Sequence, residues 1–167
     1  MGVFAKYDIE KLLFDVKAKI VADYNTQLTA VTADKAKDTG AIVLNPVLKP
    51  LAAEAIDILS INKKTFAAHD PFMIIQLVRK ESPENLGENR VELAVMLSLL
   101  DPHDYNGEVR MLRYLRALEE LFAPLKNKKL GICTLSSTEL LPYLSTPDFM
   151  DKTKRSSTWG VGLDFEW

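Results

Sequence analysis

The 167-residue chain is poor in the residues that most often carry chemistry: it has one cysteine, two histidines and no clear excess of charge of either sign. A lone cysteine closes no internal disulfide and supplies no paired thiolate site; Cys133, within GICTL, has apolar neighbours and reads as a small buried hydrophobe. Lysine plus arginine (21) nearly balances aspartate plus glutamate (23), so a net charge of -2 gives no global field to draw in DNA or an anionic membrane. No stretch reaches the ~18 uncharged apolar residues of a membrane span. The first residues, MGVFAKYDIEKLL, lack a basic segment followed by an apolar run, and Lys6 stands where a myristoylation motif wants serine or threonine. These absences point to a soluble protein made in a reducing cytoplasm. The nucleotide-binding and hydrolase signatures GxxxxGK[ST], GxSxG, HExxH, CxxC and GxGxxG are missing too. WGVGLDF has two spaced glycines, yet it follows no strand-to-helix turn and lacks the third.

Hydrophobic periodicity supplies the elements. Ile9, Leu12, Leu13, Val16, Ile20, Tyr24 and Leu28 recur at three and four, which predicts an amphipathic helix over 7–31 with Asp8 at its start. Residues 41–71 contain three prolines, an Ala-rich piece and no clean period; they read as loop, with a short helix from Pro50 to Leu59. FMIIQLVRK and RVELAVMLSLL are strand-like, the second placing Val91, Leu93, Val95, Leu97 and Leu99 on one face, so 72–100 reads as an antiparallel hairpin with a polar loop ESPENLGEN. A turn DPHDYNG leads to a helix over 108–123, with a stripe of Met111, Leu115, Leu118 and Phe122 and a terminating Pro124. LGICTL reads as a short strand, STELLPYL as a helical turn, and 158–167 as a last strand in which Gly160 and Gly162 permit close backbone approach. The expected fold is a single α+β domain: a roughly four-stranded, mostly antiparallel sheet with long amphipathic helices packed on one face. Its other face and its edges are left to find cover, which points to self-association.

Three clusters are candidates for function. Asp101, His103 and Asp104, with Asp70 beside His69, have donor types suited to a metal or acid/base site, although the same residues are ordinary turn formers. Glu119–Glu120 and Glu81–Glu84 are solvated carboxylates with nothing to separate their pKa values. Arg110, Arg113 and Arg116 lie three apart on the second long helix. This ridge reads as a solvated face with pairs from Arg116 to Glu119 and Glu120, as a subunit contact for the acidic Glu81, Glu84 and Glu88, or as a phosphate grip without the aromatic interleaving of single-strand binders.

The order DIEKLLFDVKAKIVADYNTQL, RVELAVMLSLLDPHD, GEVRMLRYLRALEELF and GVGLDFEW resembles the tail-terminator and neck proteins of tailed bacteriophages and of phage-tail-like particles. The resemblance spans most of the chain as pattern and rests on no specific motif; segment 44–50 has no counterpart. It implies a structural, non-enzymatic virion protein without cofactor or metal, a homohexameric ring that caps the tail tube and offers the docking surface for neck or head. The implied partners are further copies of itself, the tail tube protein, a neck or head-completion protein and, in a contractile tail, the sheath; no membrane or specific nucleic acid is implied. It places the protein in the virion, and in the host cytoplasm during assembly. Arg110, Arg113, Arg116, Glu81, Glu84 and Glu88 are then hypothetical interface or lumen-facing positions. Two readings stand beside it: another neck or head-completion protein of the same particle, and a small enzyme or metal-binding protein using Asp101, His103 and Asp104.

Overall fold

Alternating aliphatic residues make the two strands on which the molecule is built. The computed structural model describes residues 9–35, 48–58, 69–81, 90–100, 105–131, 133–141 and 156–166. In chain order they form helix α1 (Ile9–Lys35), strands β1 (Ile56–Ile58), β2 (Phe72–Glu81) and β3 (Arg90–Leu100), helix α2 (Tyr105–Phe122), and strands β4 (Lys129–Leu130), β5 (Cys133–Leu141) and β6 (Ser156–Glu166). β3 and β6 run antiparallel in unbroken register from Arg90↔Glu166 to Leu100↔Ser156. On one face this ladder brings together Leu93, Val95 and Leu97 with Val161, Leu163 and Phe165, all fully buried.

The expected four-stranded, mostly antiparallel sheet is corrected by the structure. The sheet has six strands in the order β1-β2-β3-β6-β5-β4, is mixed because β1 runs parallel to β2, and curls into a half-barrel. The helices are one of 27 residues and one of 18. The physical reason is the shortness of the outer strands: IDI and KL are too brief to show a two-residue period. IDI also follows a 3-10 turn, Ala53–Ala55, where a helix from Pro50 to Leu59 was expected. STELL, read as a helical turn, is the second half of β5; pairing with β6 from Ser137↔Asp164 to Leu141↔Gly160 outweighs its local preference. Most of the ESPENLGEN segment (82–89), the DPHD segment (101–104) and residues 142–155 lie outside the described residues.

Both helices cover one side of the sheet. α1 turns Leu12, Leu13, Val16, Ile20, Tyr24, Leu28 and Val31 inward, and α2 contributes Met111, Tyr114, Leu115, Ala117, Leu118, Leu121 and Phe122. These residues share one core with β2, β3, β5 and β6. Lys11–Asp15 and Lys19–Asp23 add exposed pairs along α1 at a few tenths of a kcal/mol each.

The segment before β1 is held by two side chains. Asn25 of α1 accepts the Leu51 N–H at 2.8 Å and donates to the Leu51 carbonyl at 2.9 Å. The Tyr114 hydroxyl of α2 accepts the Lys49 N–H at 2.8 Å and donates to the Lys49 carbonyl at 2.9 Å. Tyr24 donates to the Tyr114 carbonyl at 2.9 Å, so the helices are joined at the same point. Burial pushes the Tyr114 hydroxyl up to about 12, and burial, then the neighbouring Tyr114, raises Tyr24 well above its ordinary value.

On the sheet's opposite face Phe72, Ile74, Ala94 and Met96 are also buried. Gly160 and Gly162 stand beside Met96 and Ala94 in the ladder. A Cβ on Gly160 would lie 2.9 Å from the Val95 carbonyl oxygen, a backbone atom that cannot step aside, whereas one on Gly162 would first meet the flexible Glu139 side chain at 3.1 Å. Gly160→Ala therefore destabilises by about 1–3 kcal/mol and Gly162→Ala by less, measured as urea midpoints at equal slope. Tyr114→Phe costs about 1–2 kcal/mol for its lost hydrogen bonds. Both buried tyrosines stay protonated in the folded chain while the unfolded chain ionises near the ordinary value of 10.0, so stability falls as pH rises from there towards about 12. Alkaline titrations of denaturant stability show that decline, and it is shallower in Tyr114→Phe.

Candidate functional site

The arginine ridge of α2 is largely engaged within the chain. Arg116 Nε donates to Glu120 at 2.7 Å and its Nη2 to Asp34 of α1 at 3.0 Å, a pair of contacts that ties the helices together. The Glu120 bond, and then Asp34, raise the Arg116 pKa further against a small desolvation cost. Arg113 is buried, with 7 % of its surface exposed, and Arg110 is half-buried. Of their expected acidic counterparts, Glu81 closes β2, while Glu84 and Glu88 lie outside the described residues. The sequence showed the spacing along α2, but not that Arg113 in the middle is buried while Arg110 and Arg116 on either side are half-buried.

Asp101, His103 and Asp104 lie outside the described residues; His69 and Asp70 are half-buried just before β2. Among the described residues no group of three or more histidine, cysteine, aspartate or glutamate side chains is placed to hold a metal ion. Cys133 is buried at the start of β5, where burial first and Asp15 second push its thiol up, away from the reactive thiolate. No helix among the described residues is long and apolar enough to cross a membrane.

A cavity of about 360 Å³ opens over β3, β6 and β5, lined by Arg90, Glu92, Ser136, Ser137, Asp164 and Glu166 among others. Its origin is local. Glu92 and Asp164 are direct cross-strand partners, so two carboxylates face each other on adjacent strands. The irregularity between Leu135 and Ser137 puts two serines beside one residue of β6. Ser136 donates to the Asp164 carbonyl at 3.0 Å and Ser137 donates to the Asp164 carboxylate. Arg90 meets Glu166 at 3.4 Å in an exposed pair, and Glu92 stands in register between Asp164 on β6 and Arg79 on β2.

A basic knuckle lies at the same end of the sheet. After α2 a 3-10 turn, Ala123–Leu125, leads into Lys126, Asn127, Lys128 and Lys129, whose three lysines are all exposed. Asn127 adopts φ 61°, a left-handed conformation that asparagine tolerates. The backbone of this turn is fixed: Lys128 N–H bonds the Leu125 carbonyl at 2.8 Å, Asn127 N–H the Leu135 carbonyl at 2.7 Å, and Leu135 N–H the Lys128 carbonyl at 3.1 Å. Sequence reading passed over both features, because KNKK carries no period or motif and the cavity residues are brought together only by strand pairing.

No protein-family model matches the chain and no curated protein matches it. The described residues combine a basic turn fixed by backbone hydrogen bonds with an acid-lined hollow at the same end of the sheet. Like charges directly opposite across a ladder oppose folding. Glu92 has a like charge, Asp164, opposite it on β6 and an unlike one, Arg79, opposite it on β2, so the two effects offset and Glu92→Gln changes stability by less than ~0.5 kcal/mol, as denaturant titrations at two ionic strengths measure.

Proposed function

We propose that the protein is a structural subunit of a tailed bacteriophage or tail-like particle, a tail terminator that assembles as a homohexameric ring on the end of the tail tube and presents the surface to which neck or head attaches. One observation carries the reading. The four segments of the resemblance fall on α1, β3, α2 and β6, the two helices and the central ladder of the fold. The helices occupy one side of the sheet, leaving the opposite side with its cavity, and the edges end in strands of three and two residues. Such an element offers several modest surfaces and no single deep site, and identical modest contacts add up when a ring closes.

The polar character of these surfaces also fits the role. A terminator recognises a tube end that exists only once per particle, so it gains from contacts that are weak singly and strong in a closed set. Tail tubes incubated with gold-labelled protein and imaged by negative stain test the proposal. Label confined to one tube end, with tube extension stopped there, is the expected result. Label along the tube walls, or none at either end, contradicts it, and label on isolated head vertices instead assigns the protein to the neck.

A further inference from the structure

The basic knuckle and the acid-lined cavity are opposite in charge, and the knuckle's backbone pairs with Leu135, next to Ser136 of the cavity wall. Lys126, Lys128 and Lys129 are exposed and make no ion pair among the described residues, whereas Lys11 and Lys19 of α1 are each paired with an aspartate one turn on. Three unpaired cations on a turn fixed by backbone hydrogen bonds are a local concentration of charge in a chain of net charge -2. The cavity holds the opposite balance: among the described residues lining it, Glu92, Asp164 and Glu166 stand against Arg90, which is turned to Glu166.

The two features also stand at one height along the strands. A single row of register partners runs Arg90↔Glu166, Glu166↔Thr134 and Thr134↔Lys129, from the rim of the cavity to the knuckle. We infer that the Lys126–Lys129 knuckle of one copy docks into the Glu92–Asp164 cavity of a second copy of this chain. The contact joins two different surfaces, so each copy has one knuckle to give and one cavity to fill, and the arrangement propagates head to tail. The Glu92–Asp164 pair stands two residues along the strands from that row. A head-to-tail contact of this kind forms a ring where its rotation closes and it takes no step along the axis. Lysine ammonium groups entering the cavity meet the carboxylates of Glu92, Asp164 and Glu166, which outnumber Arg90 among its described lining residues. The inference rests on the ring reading above and names its subunit contact.

Zero-length carbodiimide cross-linking of a mixture of light and heavy isotope copies, at a concentration where the protein associates or on tail tubes, reads the contact directly. The expected result is mixed-isotope links from Lys126, Lys128 or Lys129 to Glu92 or Asp164. Lys128→Glu with Lys129→Glu, both at exposed positions, should weaken self-association about tenfold or more. Adding Glu92→Lys to that variant restores it by exchanging the signs, an effect that mere misfolding does not produce. Association that persists in the lysine variant without those links overturns this contact and leaves the ring reading standing. A wild-type chain that stays single at every concentration and on tubes overturns both. Retention of DNA by the wild type, lost in the lysine variant while association is unchanged, assigns the knuckle to nucleic acid and overturns the docking.

Discussion

The fold depends on the pairing of β3 with β6. Their register is continuous over the full length of both strands, and it places Leu93, Val95 and Leu97 beside Val161, Leu163 and Phe165 under the two helices. A slip of one residue would turn one strand's inward set to the opposite face and bring either Glu92 of β3 or Asp164 and Glu166 of β6 towards the core, at a desolvation cost. The close approach of Gly160 to the Val95 carbonyl belongs to the same constraint, since it lets the strands lie together where Met96 crosses the ladder. Everything else is hung on this pair: β2 and β1 outward on one side, β5 and β4 on the other.

The helices are fixed to this ladder by apolar burial and to each other by a few directional bonds. Tyr24, Tyr114 and Asn25 lie where α1, α2 and the chain entering β1 meet, and their hydrogen bonds satisfy backbone groups that belong to no regular element. Arg116, bridging Glu120 and Asp34, repeats that connection nearer the surface. The helix side of the sheet is thereby consumed by the fold. The polar ends of the strands on its other side, and the turn after α2, are what is left for partners.

Much of the long-element content was legible in the sequence because it has a period. The three-and-four spacing from Leu12 to Leu28 marks α1, and the alternation from Val91 to Leu99 marks β3 and the face it buries. β1, β4 and the second half of β5 were not legible. Three residues of IDI carry no measurable period, and STELL becomes a strand only through its partners on β6. The surfaces suffered more. Arg110, Arg113 and Arg116 were visible as a spacing, yet which of them faces solvent depends on where α1 lies. The Glu92–Asp164 pair combines residues more than seventy positions apart in the sequence, joined only by the ladder. Charge on a loop, as in KNKK, says nothing about rigidity until the bonds to Leu125 and Leu135 are seen.

Two oppositely charged features, the lysine turn and the acid-lined cavity, stand at one end of the sheet. The docking proposed for them is a head-to-tail contact of unlike surfaces, which forms a ring where its rotation closes. The measurement to make first is the molar mass of the purified protein by light scattering over a concentration series, read beside the mass of the single chain, 18.8 kDa. A plateau at a fixed whole multiple, six for the ring proposed here, is the predicted result, and it should dissolve towards the single chain as salt is raised. A mass that climbs without plateau, or one that remains at the single chain at every concentration and in the presence of tail tubes, would contradict it.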